Sequence, residues 1–446
     1  MSFSHECCEC LFAYSFPPLK GYLYIYIYML FSPVCWLFFF PHPSTCTFSF
    51  LLQFFLSIGR NVLFFPFLLL LFCLLPVKPV FLAVRVPRQQ KSMSEEEFAE
   101  VFGFLLNNRE DVRKMAVKGI AQQSKDNSAL FAFLASPAHG PRSFDALLQF
   151  FHAGGFQLLG DILTILINCS VDSRCAEMLV SRRVVRKAMR LLEGIEASDH
   201  ANSLKRSLEE MTLMLLSNLT ASHITAVDDL LQIEDEDLRG FYLGKLHVYY
   251  SRFLSNGVKE EGEDDADDGG SEGKEVGKTR AEKPPARDLQ KWILQILLNL
   301  TRSSDGQMLL TEDEDWDRTL TDCLGSSNMR HRLLAAQCYR NCSLQTEHHA
   351  AILRGNSLRV CVERLCDGGE PVPGVEMMLA EIVAEMMRSE AGMQYLEEVN
   401  AKKHLQTAVA EKKLDDGTAE FIERHVLPFL DDVVDAYVVH EGDIVD

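Results

Sequence analysis

The sequence predicts an all-α solenoid of armadillo- or HEAT-type helical repeats from about Met93 to the C-terminus. In five segments an apolar helix is followed by a short polar break and a second apolar start. The segments are Leu158–Val180, Leu208–Leu231, Leu289–Leu310, Arg332–Leu353 and Met377–Glu398. No alternation long enough to predict a β-strand occurs after Met93. One helical hairpin cannot bury its apolar face alone, so a stack of such units is expected.

An Asn-x-Ser/Thr step marks the end of the first helix in four of these segments. The asparagines are Asn168, Asn218, Asn299 and Asn341, at spacings of 50, 81 and 42 residues. We align Met386 with them in the fifth segment, and Gln122 in a weaker copy 46 residues before Asn168. A period in the mid-forties is typical of armadillo and HEAT units, which have two or three helices each. About six units are therefore expected.

The amino-acid composition changes near residue 92. Residues 1–92 contain 16 of the 29 phenylalanines but only two of the 63 acidic residues. Residues 93–446 contain 38 Lys and Arg against 61 Asp and Glu, a net charge of −23. Such an acidic surface repels a phosphate backbone, so no specific nucleic-acid partner is expected.

The apolar N-terminal segment has two interpretations. Its apolar runs are Tyr22–Phe40, Phe48–Ile58 and Val62–Leu75. The segment lacks the early basic cluster and the single short core of a signal peptide. We interpret residues 1–92 as an extension arising from a gene-model artefact, ahead of a start at Met93 with Ser94 as a helix N-cap. The alternative is a membrane anchor that uses residues 22–84, although Pro33 interrupts its first run.

A polar segment divides the solenoid. Residues 257–287 are rich in acids, Gly and Lys, and they have too little apolar surface to offset the entropy of ordering. The sequence therefore predicts a disordered acidic linker between repeats at 93–256 and repeats at 288–446. The linker is either a solvated insertion or an acidic tether for a basic partner. The pattern over Ala419–Val438 predicts a capping helix that is interrupted near Pro428.

The four Asn-x-Ser/Thr steps match N-glycosylation sequons, but each Asn ends an apolar helix instead of lying in an exposed loop. We expect Asn168, Asn218, Asn299 and Asn341 to be structural, with each side chain capping its helix end or bonding to the backbone of the turn. In peptide-binding armadillo proteins such an Asn ladder works with a Trp one turn earlier. Here that position holds Thr164, Met214, Gln295 and Gln337. A nuclear-import-type groove is therefore not expected.

Other candidate sites favour binding over chemistry. Cys338 and Cys342, with His348 and His349 shortly after, have the ligand types of a zinc site, but reduced core thiols explain the two cysteines better. The sequence has no Gly-rich phosphate loop, no HExxH and no GxSxG. We expect no enzyme activity, no metal and no cofactor.

One dense basic stretch runs along a predicted helix. It consists of Arg182, Arg183, Arg186, Lys187 and Arg190. Its two interpretations are a solvated helix face and a contact for an acidic partner or for RNA phosphate.

The segment Arg332–Arg354 has a distinctive spacing: Arg340-Asn341-Cys342, five residues, then His348-His349. In this it resembles a eukaryotic armadillo-type family known as high-mobility-group homologue one, or brain-protein-sixteen-like. The preceding helix ends in a Leu-x-Asn-Leu-Ser/Thr step, here Leu297–Thr301, which the family also has. The pattern of the C-terminal helices over Ala380–Leu405 is similar as well. The resemblance covers about residues 93–430. In the family, the segment between the Arg-Asn-Cys helix and the last repeats is longer than Val360–Pro373 is here. Neither the acidic linker nor the apolar N-terminus belongs to the family's pattern.

The resemblance implies a cytoplasmic, non-catalytic co-chaperone that helps translation elongation factor 2 to fold together with the chaperonin. It makes Arg340, Asn341, His348 and His349 candidate partner-binding residues, beside Arg182, Arg183 and Arg186 of the basic stretch. Two alternatives remain at this point. One is a generic armadillo scaffold in transport or signalling, and the other is a membrane-tethered helical-repeat protein that uses residues 22–84.

Overall fold

The computed structural model describes residues 93–125, 127–262 and 287–430, without the side chains of residues 255–262. All of them belong to one compact unit, Gln90–Asp446. Within these residues the secondary structure is helical, and no strand is present. The interpretations of residues 1–92 and of the linker beyond residue 262 lie outside the described residues and stay predictions.

The described helices form six three-helix units after an N-terminal pair. The pair is α1 (Glu95–Gly103) and α2 (Glu110–Gln123), joined through a 3₁₀ turn at Phe104–Leu106. The first helices of the six units are α3 (Ser128–Ala135), α6 (Ser173–Ser181), α9 (Ile224–Leu231), α12 (Ser304–Glu312), α15 (His349–Arg354) and α18 (Glu390–Glu398). Further 3₁₀ turns lie at Ala153–Gly155 and Thr346–His348.

The second helices are α4 (Gly140–Leu148), α7 (Val184–Glu196), α10 (Phe241–Gly262), α13 (Glu314–Gly325), α16 (Ser357–Cys366) and α19 (Ala401–Ala410). The third helices are α5 (Phe156–Cys169), α8 (Asn202–Ser222), α11 (Gln290–Leu300), α14 (Met329–Ser343), α17 (Pro373–Met386) and α20 (Asp416–His425). Helix α2 precedes them in the same row. Consecutive helices of this row, from α2 to α20, contact one another along their lengths.

This stacking produces one continuous core. The third helices bury residues on both sides of each helix, as in Ile162, Leu163, Ile165 and Leu166 of α5. Burial on both sides is expected for a helix with neighbours before and after it in a stack. The largest fully buried side chain is Trp316 of α13, and its indole nitrogen donates to the carbonyl oxygen of Leu243 at 3.1 Å.

At several of the short polar turns between helices, a capping residue starts the next helix. The side chains of Asn127, Asp172, Ser303, Asp313 and Ser389 accept from free amides at helix N-termini. Such caps satisfy donors that have no partner within the helix. The expected N-cap at Ser94 is present as a capping box, in which Ser94 and Glu97 exchange side-chain-to-backbone hydrogen bonds.

Two glycines permit the tight turn from a third helix to the next first helix. A Cβ atom on Gly306 would lie 2.1 Å from the carbonyl oxygen of Leu300, and one on Gly392 would lie 1.9 Å from that of Met386. No side chain fits at these distances, so the end of one helix contacts the backbone of the next. Each glycine also donates its amide to the capping serine three residues earlier.

One boundary differs from that predicted. Helix α10 continues to Gly262, so the first residues of the predicted linker from Gly257 are helical. At the C-terminal end the expected interruption is present, since α20 stops at His425, Val426 forms a turn two residues before Pro428, and residues 427–430 are helical again. Residues 431–446, which include the end of the predicted capping helix, lie outside the described residues.

Candidate protein-binding surface

The Asn row links each unit to the one before it. The side-chain amides donate to hydroxyl groups on the preceding third helix: Asn168 to Ser124 at 2.9 Å, Asn218 to Ser170 at 3.0 Å, Asn299 to Thr220 at 3.0 Å and Asn341 to Thr301 at 2.8 Å. The last three acceptors are the Ser or Thr of the preceding Asn-x-Ser/Thr step. The motif therefore recurs because its Asn donates to the previous unit and its hydroxyl accepts from the next.

The expectation that these asparagines cap their own helices is wrong. Two of them also reach main-chain oxygens, but on the preceding helix: Asn218 lies 3.5 Å from the carbonyl of Ile167, and Asn299 lies 2.9 Å from that of Ser217. The asparagines make structural hydrogen bonds, but their acceptors lie on the preceding helix and not on their own. The acceptors lie 40 to 82 residues away in sequence, so no local pattern identifies them.

The Asn row continues at Glu385 and not at Met386. Asn168 and Asn299 each stand four residues before a capping residue, Asp172 and Ser303, and Glu385 stands four residues before Ser389. Met386 is fully buried and fills the core. Arginines three residues after the row agree with this register, since Arg302 donates to the carbonyl of Ala221 and Arg388 donates to that of Leu344.

The candidate residues near α14 do not form one exposed cluster. Arg340 is half-exposed and forms an ion pair with Glu381 on the next third helix. Asn341 is part of the Asn row. His348 and His349 are buried, at 5% and 1% exposure. Of the four, Arg340 has the most accessible side chain for a partner.

His349 holds two units together. Its Nε2 donates to the carbonyl oxygen of Ser343 at 2.7 Å, because a carbonyl can only accept, and its Nδ1 lies 2.8 Å from the hydroxyl of Ser389. Burial lowers the pKa of His349, against a smaller opposing effect of the Ser343 carbonyl. The neutral ring therefore accepts from Ser389 and fixes the start of α18. The neighbouring His348 has a buried Nε2 with no hydrogen-bond partner among the described residues.

The basic stretch divides into paired and free cations. Arg182 pairs with Asp145 at 2.9 Å, and Arg186 pairs with Asp229. Arg183, Lys187 and Arg190 are exposed and form no ion pair with another described residue. Lys187 and Arg190 stand three residues apart on α7 and so share one side of that helix, and Arg183 is its N-cap residue.

The third helices also present an apolar stripe that the sequence analysis did not identify. Its members are half-buried side chains on four consecutive third helices. Met211 on α8, Trp292 on α11 and Met378 on α17 each stand seven residues before the row residue of their helix, while Met214 on α8 stands four residues before Asn218 and Leu333 on α14 eight residues before Asn341. We call these five residues the methionine–tryptophan stripe. On α5 the corresponding position holds Asp161, and beyond it Met115 of α2 is 67% exposed.

Trp292 lies near the middle of this stripe and is held by polar neighbours. Its indole nitrogen donates to Glu210 Oε1 at 3.4 Å, and Lys291 Nζ lies 5.1 Å from the ring centroid. Glu210 is neutralised in turn by Arg287 at 3.5 Å and by Lys291 at 3.9 Å. The ring is therefore oriented before any partner arrives.

Comparison with known proteins gives a structural match without a sequence match. No family model matches the chain, and no curated protein does. An engineered protein matches with a TM-score of 0.54 at 14% identity, over 78% of this chain and 72% of that one. Two others have a TM-score of 0.47. One is a designed armadillo repeat protein for modular peptide recognition, at 12% identity over 65% of this chain and 99% of its own. The other comes from a study of cadherin and β-catenin, at 15% identity over 72% of this chain and 51% of its own.

The fold is an armadillo-type helical solenoid. The three-helix units and the continuous row of third helices confirm the predicted fold class.

The cysteines of the armadillo repeats are core residues. The described cysteines, which are Cys169, Cys175, Cys323, Cys338, Cys342, Cys361 and Cys366, are all buried and free. Burial raises the pKa of each, to about 12 for Cys342. A nucleophilic or metal-binding cysteine needs a stabilised thiolate, and here the thiol is favoured. No group of three potential metal ligands occurs among the described residues.

In the described part of the chain, the apolar residues of the helices form the solenoid core. In that part no single helix is both long and apolar enough to cross a membrane. The consecutive segments Gly140–Leu148 and Ala153–Cys169 are long and apolar enough for a membrane span when taken together, but they are bent by 83° relative to each other. Both helices contribute fully buried residues to the solenoid core.

Proposed function

We propose that this protein is a cytoplasmic, non-catalytic co-chaperone that binds translation elongation factor 2 during its folding and presents it to the chaperonin. The observation that carries the proposal is the spacing of Arg340-Asn341-Cys342 and His348-His349 within an armadillo-type solenoid. A helical-repeat scaffold fits this role, since an adaptor requires surfaces and not chemistry.

Two surfaces supply candidate contacts. Arg340 stands on the third-helix face, with its side chain 40% exposed beside Glu381. Arg183 at the N-cap of α7, and Lys187 and Arg190 on that helix, supply positive charge for an acidic partner, since none of the three pairs with another described residue. Arg182 and Arg186 support this surface through Asp145 and Asp229. Asn341 and His349 act indirectly, because their polar atoms are occupied between units.

Affinity purification of the tagged full chain from cells tests the proposal. We expect recovery of elongation factor 2 and of chaperonin subunits. Recovery of neither would count decisively against the co-chaperone role. The charge-reversal variant Arg183→Glu/Arg190→Glu is expected to lose an acidic partner while keeping the fold, because both side chains are exposed.

A matched variant separates specific from general charge effects. The double variant Arg318→Glu/Arg359→Glu also reverses two exposed arginines, but on α13 and α16 and away from α7. It is expected to leave recovery of both partners unchanged. Equal losses in the two variants would show that net charge, and not the α7 surface, governs recovery.

A further inference from the structure

The side-chain amides of the Asn row already donate to the preceding unit. Each of the four asparagines donates its amide to the preceding unit, and Asn299 is 5% exposed. We therefore expect hydrogen bonds from these side chains to the main chain of a partner to contribute less to binding than apolar burial does. The methionine–tryptophan stripe, one to two turns earlier on the same helices, is the apolar surface available for that burial.

Resting on the proposed function, we propose that this stripe binds an extended, uncharged, apolar segment of a client that has not finished folding. Methionine is unbranched and flexible, so Met211, Met214 and Met378 can adapt to apolar side chains of irregular shape. Met-rich surfaces serve binders that accept varied sequences. Trp292 adds a rigid aromatic anchor of the kind that dominates interface energetics.

The electrostatics favour an uncharged occupant. The carboxylates beside the stripe are already paired: Glu210 with Arg287 and Lys291, Glu381 with Arg340, and Glu385 with Arg388 at 2.6 Å. A charged segment would gain little from carboxylates that already have cationic partners, and it would lose its own hydration. An apolar segment gains burial and leaves the pairs intact.

The spacing of the helices favours an extended chain. Packed helices lie about 8–10 Å apart, and an extended chain rises about 3.3 Å per residue. About three residues of an extended segment therefore cover each step from one helix of the row to the next. A segment of about twelve residues spans the four helices from α8 to α17.

Fluorescence anisotropy of a labelled, uncharged apolar peptide of about twelve residues, titrated with the full chain, tests this inference. Trp292→Ala is expected to raise the dissociation constant about tenfold or more, as expected for loss of an aromatic anchor. Phe241→Ala is the matched control. Phe241 is an exposed aromatic residue (46%) on the second helix α10, and its removal should leave the dissociation constant unchanged.

A second variant keeps the test decisive if Trp292→Ala folds poorly. Met214→Glu places a charge in the stripe at a half-buried position and should abolish binding of the apolar peptide with the circular dichroism of the chain unchanged. Wild-type affinity in both variants, or tighter binding of a lysine-rich or glutamate-rich peptide, would overturn the inference.

The outcomes separate this inference from the proposed function. If elongation factor 2 is not recovered from cells but the apolar peptide binds at Trp292, the stripe stands and the client assignment falls. If elongation factor 2 is recovered equally by wild type and by Trp292→Ala, the function stands and the stripe falls.

Discussion

Asn299 on α11 donates its side-chain amide to the hydroxyl of Thr220 on α8, at 3.0 Å, although the two residues are 79 positions apart. The residues between them include the segment 263–286, which lies outside the described residues. The bond therefore joins the two halves of the solenoid across the acidic linker. It repeats the geometry of Asn218 with Ser170 and of Asn341 with Thr301.

Asn299→Ala should therefore destabilise the protein by about 1–3 kcal/mol, because buried polar atoms on α8 lose their partner. Urea unfolding of the full chain measures this change. Asn168→Ala is the control, since Asn168 is only half-buried and makes one such bond, while Asn299 is buried and makes two. A loss as large for Asn168→Ala would contradict the explanation by burial.

Glu370→Gln should cost about 3–5 kcal/mol, since it removes one charge from a buried ion network. The Glu370 side chain is fully buried and accepts from Arg332 at 2.7 and 3.1 Å and from Arg364 at 3.1 Å. Thermal unfolding measures the effect. Glu363→Gln removes the exposed pair with Arg359 and should change the unfolding temperature little. Comparable shifts for the two variants would refute the importance of burial.

Gly306→Ala should destabilise the chain by about 1–3 kcal/mol, because the new methyl group would overlap the carbonyl oxygen of Leu300. Gly160→Ala provides the opposite case within α5. No atom lies within 4 Å of the added carbon there, so helix propensity should give a gain of up to about 1 kcal/mol. Equilibrium unfolding measures the free energy of unfolding of both variants. A Gly306→Ala chain as stable as wild type would show that the turn can open.

Acid should weaken the contact of His349 between units. Its pKa is lowered in the folded chain by burial, so protonation favours the unfolded chain. The contribution is complete above the unfolded pKa of about 6.5 and is lost as the pH falls below that value toward the folded pKa. His349→Asn should therefore be less stable at neutral pH but lose less stability than wild type on acidification. Urea midpoints at about pH 7.5 and about pH 5 measure the difference, and parallel losses would exclude His349 as the cause.

The sequence was sufficient to predict the class of fold because helical period and repeat spacing are local properties. Apolar residues at helical spacing, the recurring Asn-x-Ser/Thr step and the cap at Ser94 each depend on neighbours in the chain. The exact register was less secure, as Met386 shows. An apolar residue next to Glu385 fits the pattern equally well until the cap at Ser389 fixes the position of the turn.

What the sequence by itself determined is that residues beyond Met93 form stacked helices, and that their cysteines belong to a core. Only the tertiary structure decided which residues meet. In the structure the asparagines donate to hydroxyl groups of the preceding unit, and both candidate histidines are buried. Met211, Trp292 and Met378 lie on helices of the same row. These contacts join residues about 40 to 80 positions apart, and a separation of that size follows from stacking and not from any local preference of the chain.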